Sequence, residues 1–182
     1  MDAAEIKQQI TVFERARNNL LAVIAFSTVN LFLSAFGADL YFLFSATMPQ
    51  FIFEIGKNLD IEMGTDIFMI VGFIVAVVTI IPYFVFWILA KRIRTLMLAA
   101  LIFFGIDTLV LLFLIFGIGF EVSYLFEIAF HGWVLFYLIN GVQAWSQTRS
   151  VGKNDFDAII QEIKQKNPEP AKSNESDNSN SE

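Results

Sequence analysis

Cysteine is absent from all 182 residues. That excludes disulfides, thiol redox chemistry and any Cys-ligated zinc or iron–sulfur site, and with them the small four-helix thiol oxidoreductases of membranes. Histidine occurs once, as His131. No HExxH zinc motif can therefore form, and a lone imidazole with two acids is a weak divalent-metal set. The chain also lacks GxSxG, a P-loop and GxGxxG, the sequence signs of common hydrolases, nucleotide-phosphate sites and dinucleotide sites. Cations are few, 12 Lys and Arg against 18 Asp and Glu for a net charge of -6, so a nucleic-acid partner is excluded.

What is abundant is apolar. Hydrophobic residues make up 56% of the chain, with 21 Phe and a mean hydropathy of +0.61. They fall in unbroken blocks rather than at amphipathic spacing, as expected when the solvent is lipid. The expected class is all-α, a polytopic membrane protein with four transmembrane helices. The central hairpin is read from Ile67 to Gly117. Spans at about 67–90 and 95–117 are each long enough, at 1.5 Å per residue, to cross a hydrocarbon core of about 30 Å. Between them lie only Lys91, Arg92, Ile93 and Arg94. Cations in so short a loop stay on the cytoplasmic face, which puts the other turns outside.

The remaining spans follow from that anchor, at about 20–38 and 122–145. A cleaved signal peptide competes for the first, since Ala35 and Gly37 resemble a cleavage site. The apolar run is longer than a signal-peptide core, so a retained anchor is preferred. Residues 1–19 carry Ile6, Ile10 and Phe13 at helical spacing among Lys7, Arg15 and Arg17. They read as an amphipathic cytoplasmic segment, lying flat or leading into the first span, or simply as a cationic flank that sets orientation.

Between the first two spans, an aromatic stretch at about 40–58 is too short to cross and is interrupted by Pro49. It suits an outer interfacial or shallow re-entrant helix, capped by Ser45 or Thr47 and ended by Gly56 or Asn58. Its rings at Tyr41, Phe42, Phe44, Phe51 and Phe53 anchor it at headgroup depth. Gly72 and Ala76 offer a small-xxx-small step for close helix approach, and Pro82 should kink the second span. Past Trp145, residues 146–166 form a second amphipathic cytoplasmic segment, with a helix capped near Asn154. That helix is too short to stand alone and needs the membrane surface, the N-terminal helix or a partner. Residues 167–182 have the composition of a disordered tail. Both termini are cytoplasmic in this topology, and the expected location is the plasma membrane.

The polar residues inside the spans form the candidate site. Asp107 sits near the middle of the third span, where a carboxylate costs about 2.5–3.5 kcal/mol on insertion scales. Ser123, Glu127 and His131 share one face of the fourth span and Asn140 the opposite face, while Ser27, Asn30 and Ser34 make a stripe on the first. Counting the helical rise inward puts Asn30, Thr79, Asp107 and His131 in one mid-membrane layer, with Glu127 toward its outer mouth. One reading is a proton or cation pathway in which Asp107 and His131 titrate as a unit. The other is a set of interhelical hydrogen bonds that fixes the bundle's register.

The segment NLLAVIAFSTVNLFLSAFGADLYFLFSATMP, Asn19 to Pro49, resembles the opening of a group of uncharacterised bacterial multi-span proteins. They share its NLL, in-helix Asn, YFLFSA and Pro pattern. The resemblance covers about one sixth of the chain, implies a bacterial membrane location and supplies no activity. The expected function is a non-enzymatic accessory or interaction component without a cofactor, acting with the lipid bilayer and with copies of itself or another membrane protein. A small oligomeric proton-coupled or cation transporter using Asp107 and His131 is the alternative.

Overall fold

The computed structural model describes residues 2–38, 45–119 and 122–166. The expected outer aromatic segment before residue 45 and the expected disordered tail, 167–182, lie outside the described residues. The described chain is all-helical, in the order α1 (Ala3–Ala35), α2 (Thr47–Met63), α3 (Ile67–Leu89), α4 (Leu96–Ile118), α5 (Val122–Gln147) and α6 (Lys153–Lys166). Four of these, α1, α3, α4 and α5, are long and apolar enough to cross a membrane. Helices satisfy their own backbone groups, which is why such segments fold this way in hydrocarbon.

Of the two arrangements expected for the N-terminal amphipathic segment, the structure has the one in which it leads directly into the first span. Neither Gly nor Pro interrupts the chain before Phe36, and Asp2 and Glu5 form a reciprocal capping box at its start. One continuous α1 of 33 residues results, ended at Gly37, whose φ of 69° favours glycine. Ile10, Phe13, Ala16, Leu20 and Val23 are all fully buried, so its apolar stripe is core from the second turn onward.

The second helix departs from its expected limits. It runs Thr47–Met63 and ends at Gly64, in the left-handed region at φ 64°. Gly56 does not end it but permits a close crossing. A Cβ there would lie 2.5 Å from the Phe68 carbonyl oxygen and 3.0 Å from Gly72 Cα. The helix that uses the small step at Gly72 is thus α2, its antiparallel neighbour. Nor does Ser45 or Thr47 cap α2, because its N-cap is Ala46, which has no side chain to do so.

Around this hairpin α1 packs against α3 and α5, and α4 against α3 and α5. The Arg17 guanidinium lies 5.8 Å from the Trp87 ring centre, and Phe32 meets Phe73 edge to face. α3 continues through Pro82 as one helix. At the end of the bundle carrying the Lys91–Arg94 turn, α6 folds back on α1. Phe156 meets Phe13 edge to face, and Lys7 pairs with Glu162 at 2.6 Å. The N-terminal helix is therefore the support for this short helix. Arg94 closes the corner, donating to the carbonyls of Thr148 at 3.1 Å and Val151 at 3.0 Å and lying 4.5 Å over the Phe156 ring.

Candidate functional site

Asp107 is the central residue of α4 and is fully buried. Its Oδ2 accepts from the Thr47 N–H at 2.9 Å and its Oδ1 from the Met48 N–H at 2.7 Å. These are the first two amides of α2, left without partners by any helix start. A carboxylate on α4 therefore does what Ala46 cannot, and the positive end of the α2 dipole points at it. α2 consequently begins level with the midpoint of α4.

His131 completes the group. Its Nε2 lies 3.0 Å from Asp107 Oδ2 and 3.4 Å from Thr47 Oγ1, and its Nδ1 lies 2.9 Å from the Glu127 carbonyl. A carbonyl only accepts, so Nδ1 carries a proton. One further proton sits between Nε2 and Oδ2, and the pair is neutral whichever atom holds it. Phe104 stacks on the imidazole, with ring centres 5.0 Å apart and planes 20° apart.

The α1 stripe meets the other side of the same turn. Ser27 Oγ accepts from the Ala46 N–H at 2.8 Å, and Asn30 Nδ2 donates to Ser45 Oγ at 2.8 Å. One helical turn along, Gln50 Nε2 donates to Ser34 Oγ at 2.7 Å and to Glu54 Oε1 at 3.0 Å. Asn30, Asp107 and His131 thus share one buried layer through α2, an element absent from the expected layer of four helices.

Two of the candidate residues contribute differently. Thr79 is half-buried and its hydroxyl donates to the Ala76 carbonyl of its own helix at 2.7 Å, so it does not enter the layer. β-Hydroxyl groups in spans commonly bond back one turn. Glu127 is buried and its backbone carbonyl orients His131. Tyr83, by contrast, carried no signal in the sequence beyond an aromatic in a span. It is 1% exposed, and among the described residues its hydroxyl has no hydrogen-bond partner.

A second carboxylate repeats the arrangement. Asp60, near the end of α2, accepts from the Phe68 N–H at 2.8 Å and the Met69 N–H at 2.7 Å, closing α3, whose own N-cap Asp66 makes no side-chain cap. Among the described residues no group of three or more His, Asp or Glu could hold a metal ion. The chain matches no protein-family model, no curated protein and no solved structure, so the reading of this site rests on its own geometry.

Proposed function

We propose that the protein is an integral plasma-membrane component with both termini cytoplasmic, non-enzymatic, and acting through interaction with another membrane protein. The orientation rests on the cationic clusters around Arg15, Arg92 and Lys153 falling at one end of four spans. The observation that carries the functional reading is the use of Asp107. Both of its oxygens are engaged within the chain itself, by two amide donors of α2 and by a hydrogen bond shared with His131. The costliest polar group in the membrane is thereby committed to holding a half-inserted helix in place, whose outer end then presents Ile61 and Met63, both largely exposed. The bacterial source that the Asn19–Pro49 pattern implies belongs to this proposal. The test is extraction of the full chain in mild detergent with native mass measurement. A second membrane protein in fixed stoichiometry is expected, and a homo-oligomer alone would overturn the interaction reading.

One observation favours a second reading, a small proton-coupled or cation transporter. Broken helices whose N-termini point at mid-membrane anions are a recurrent transporter device, and α2 points its N-terminus at Asp107, which shares a proton with His131. In that reading Asp107 and His131 carry the ion or proton, and four spans per chain require an oligomer to enclose a path.

A further inference from the structure

The Asn140 face of α5, opposite the buried layer, lines a cavity of about 370 Å³ between α1 and α5. Its polar lining is one guanidinium, Arg15, four carboxamides, Gln9, Asn140, Gln143 and Gln147, and the Tyr137 phenol, with no carboxylate. None of the five nitrogen-bearing side chains has a hydrogen-bond or ion-pair partner among the described residues. The cavity is a concentration of unused donors with a net positive charge.

Its depth identifies what it faces. His131 marks mid-depth, because it touches the central residue of α4. Asn140 is nine residues further along α5, about 13 Å at 1.5 Å per residue, and Gln143 about 18 Å. Gly141 lies against Ala16, a Cβ at Gly141 falling 2.5 Å from Ala16 Cβ, which brings the neighbouring Arg15 to the same level. The hydrocarbon of one leaflet ends about 15 Å from its centre. Arg15 and Asn140 therefore sit at the boundary where phospholipid phosphates begin, while Phe136, 61% exposed, reaches deeper among the acyl chains. A carboxamide without a partner at that depth is costly unless a polar headgroup meets it.

We infer that this cavity binds the phosphate headgroup of an anionic phospholipid, Arg15 pairing with the phosphate and the carboxamides of α5 with the headgroup oxygens. The lipid belongs to the leaflet at the Lys91–Arg94 end of the bundle. Basic pockets between spans are known to take such headgroups, and an arginine fork fits phosphate geometry better than a lysine does.

The experiment is a lipid titration of the detergent-solubilised full chain, read by native mass spectrometry, with phosphatidylglycerol, phosphatidylcholine and glycerol phosphate as probes. One phosphatidylglycerol per chain is expected to bind in preference to phosphatidylcholine. Arg15→Gln should weaken it by about fivefold, and Gln143→Leu, which leaves the cation in place, should weaken it by a smaller factor. Equal retention of both lipids, unchanged by either variant, would reduce the cavity to ordinary annular contact and overturn the proposal. So would glycerol phosphate displacing the lipid at equal concentration, since the site would then be one for a soluble anion.

Discussion

Asp60 and Asp107 each cap the N-terminus of a helix to which they do not belong. Asp107 reaches from α4 to the first two amides of α2, and Asp60 reaches from α2 to the second and third residues of α3. In both cases the helix that is capped has no side-chain cap of its own. The chain α4, α2, α3 is thus linked by two carboxylates, one at mid-depth and one near the α2–α3 turn. Helix starts need acceptors wherever they lie, and at mid-membrane no water can supply them.

The first prediction concerns Asp107→Asn. Where the polar layer only fixes the bundle's register, the sequence leads to the expectation that asparagine keeps the hydrogen bonds and removes a charge, and so is nearly neutral or stabilising. All three partners facing the Asp107 oxygens are donors, or can be, which changes the outcome. With the amide oxygen toward Met48, the NH₂ group can donate to a neutral His131 Nε2 but faces the Thr47 N–H. One buried donor is orphaned, at a cost of about 1–3 kcal/mol. The melting temperature in detergent should fall, and should fall further for Asp107→Leu, which orphans both amides. An unchanged melting temperature for Asp107→Asn would remove α2 capping as the purpose of this residue.

The glycine crossing gives an ordered series. Gly56→Ala puts a methyl against two backbone atoms that cannot rotate away, so α2 and α3 must separate, at about 1–3 kcal/mol. Gly72→Ala meets Gly56 Cα at 3.1 Å and should cost less. Gly105→Ala and Gly132→Ala meet nothing within 4 Å and should be neutral or slightly stabilising through helix propensity. The four melting temperatures should rank in that order, and equal losses at Gly56 and Gly105 would contradict the crossing.

Most of the helical architecture was legible in the sequence, because unbroken apolar blocks bounded by charge encode span length directly. Asp107 and His131 were legible for a related reason, since ionisable groups stand out against apolar blocks. What could not be read was the partner of Asp107. Thr47 and Met48 contribute backbone amides, which every residue has, and only the return of the chain to mid-depth makes those two available. Asp60 was hidden for the same reason, among the other acids between the first two apolar blocks, Glu54, Glu62 and Asp66. Gly56 read as a terminator because close helix approach and helix ending make the same demand, a missing Cβ. The 33-residue α1 was legible as one of two arrangements, because its charged N-terminal face suits a helix lying flat as well as one leading into the span, and the capping box at Asp2 and Glu5 marks its start in either.

Arg94 makes a prediction about α6. Its guanidinium reaches two carbonyls past the end of α5 and covers Phe156, a geometry that one ammonium cannot reproduce. Arg94→Lys should retain the charge and lose the corner. Amide hydrogen exchange across residues 148–166 should accelerate with α3 and α4 unaffected. Uniform exchange throughout the chain, or none beyond wild type, would mean that Phe13 and the Lys7–Glu162 pair hold α6 without it.

The last prediction separates the two functional readings by asking whether the proton between Asp107 and His131 ever leaves. In the interaction reading that proton is part of a permanent hydrogen bond. Nδ1 is held by the Glu127 carbonyl, Oδ1 by Met48, and moving the shared proton outward would leave a net charge at mid-depth, costing about 2.5–3.5 kcal/mol on insertion scales even before α2 is disturbed. Proteoliposomes holding the full chain and a pH-sensitive dye should then take up protons no faster than empty vesicles under an imposed potential, for wild type and Asp107→Asn alike, while the variant still melts lower. In the transport reading the wild type conducts, and Asp107→Asn stops conduction in protein that remains folded and abundant. Measuring flux and melting on the same preparations keeps these outcomes apart. Loss of stability without wild-type flux assigns Asp107 to the architecture of α2, whereas wild-type flux abolished by Asp107→Asn would replace the interaction reading with the transporter.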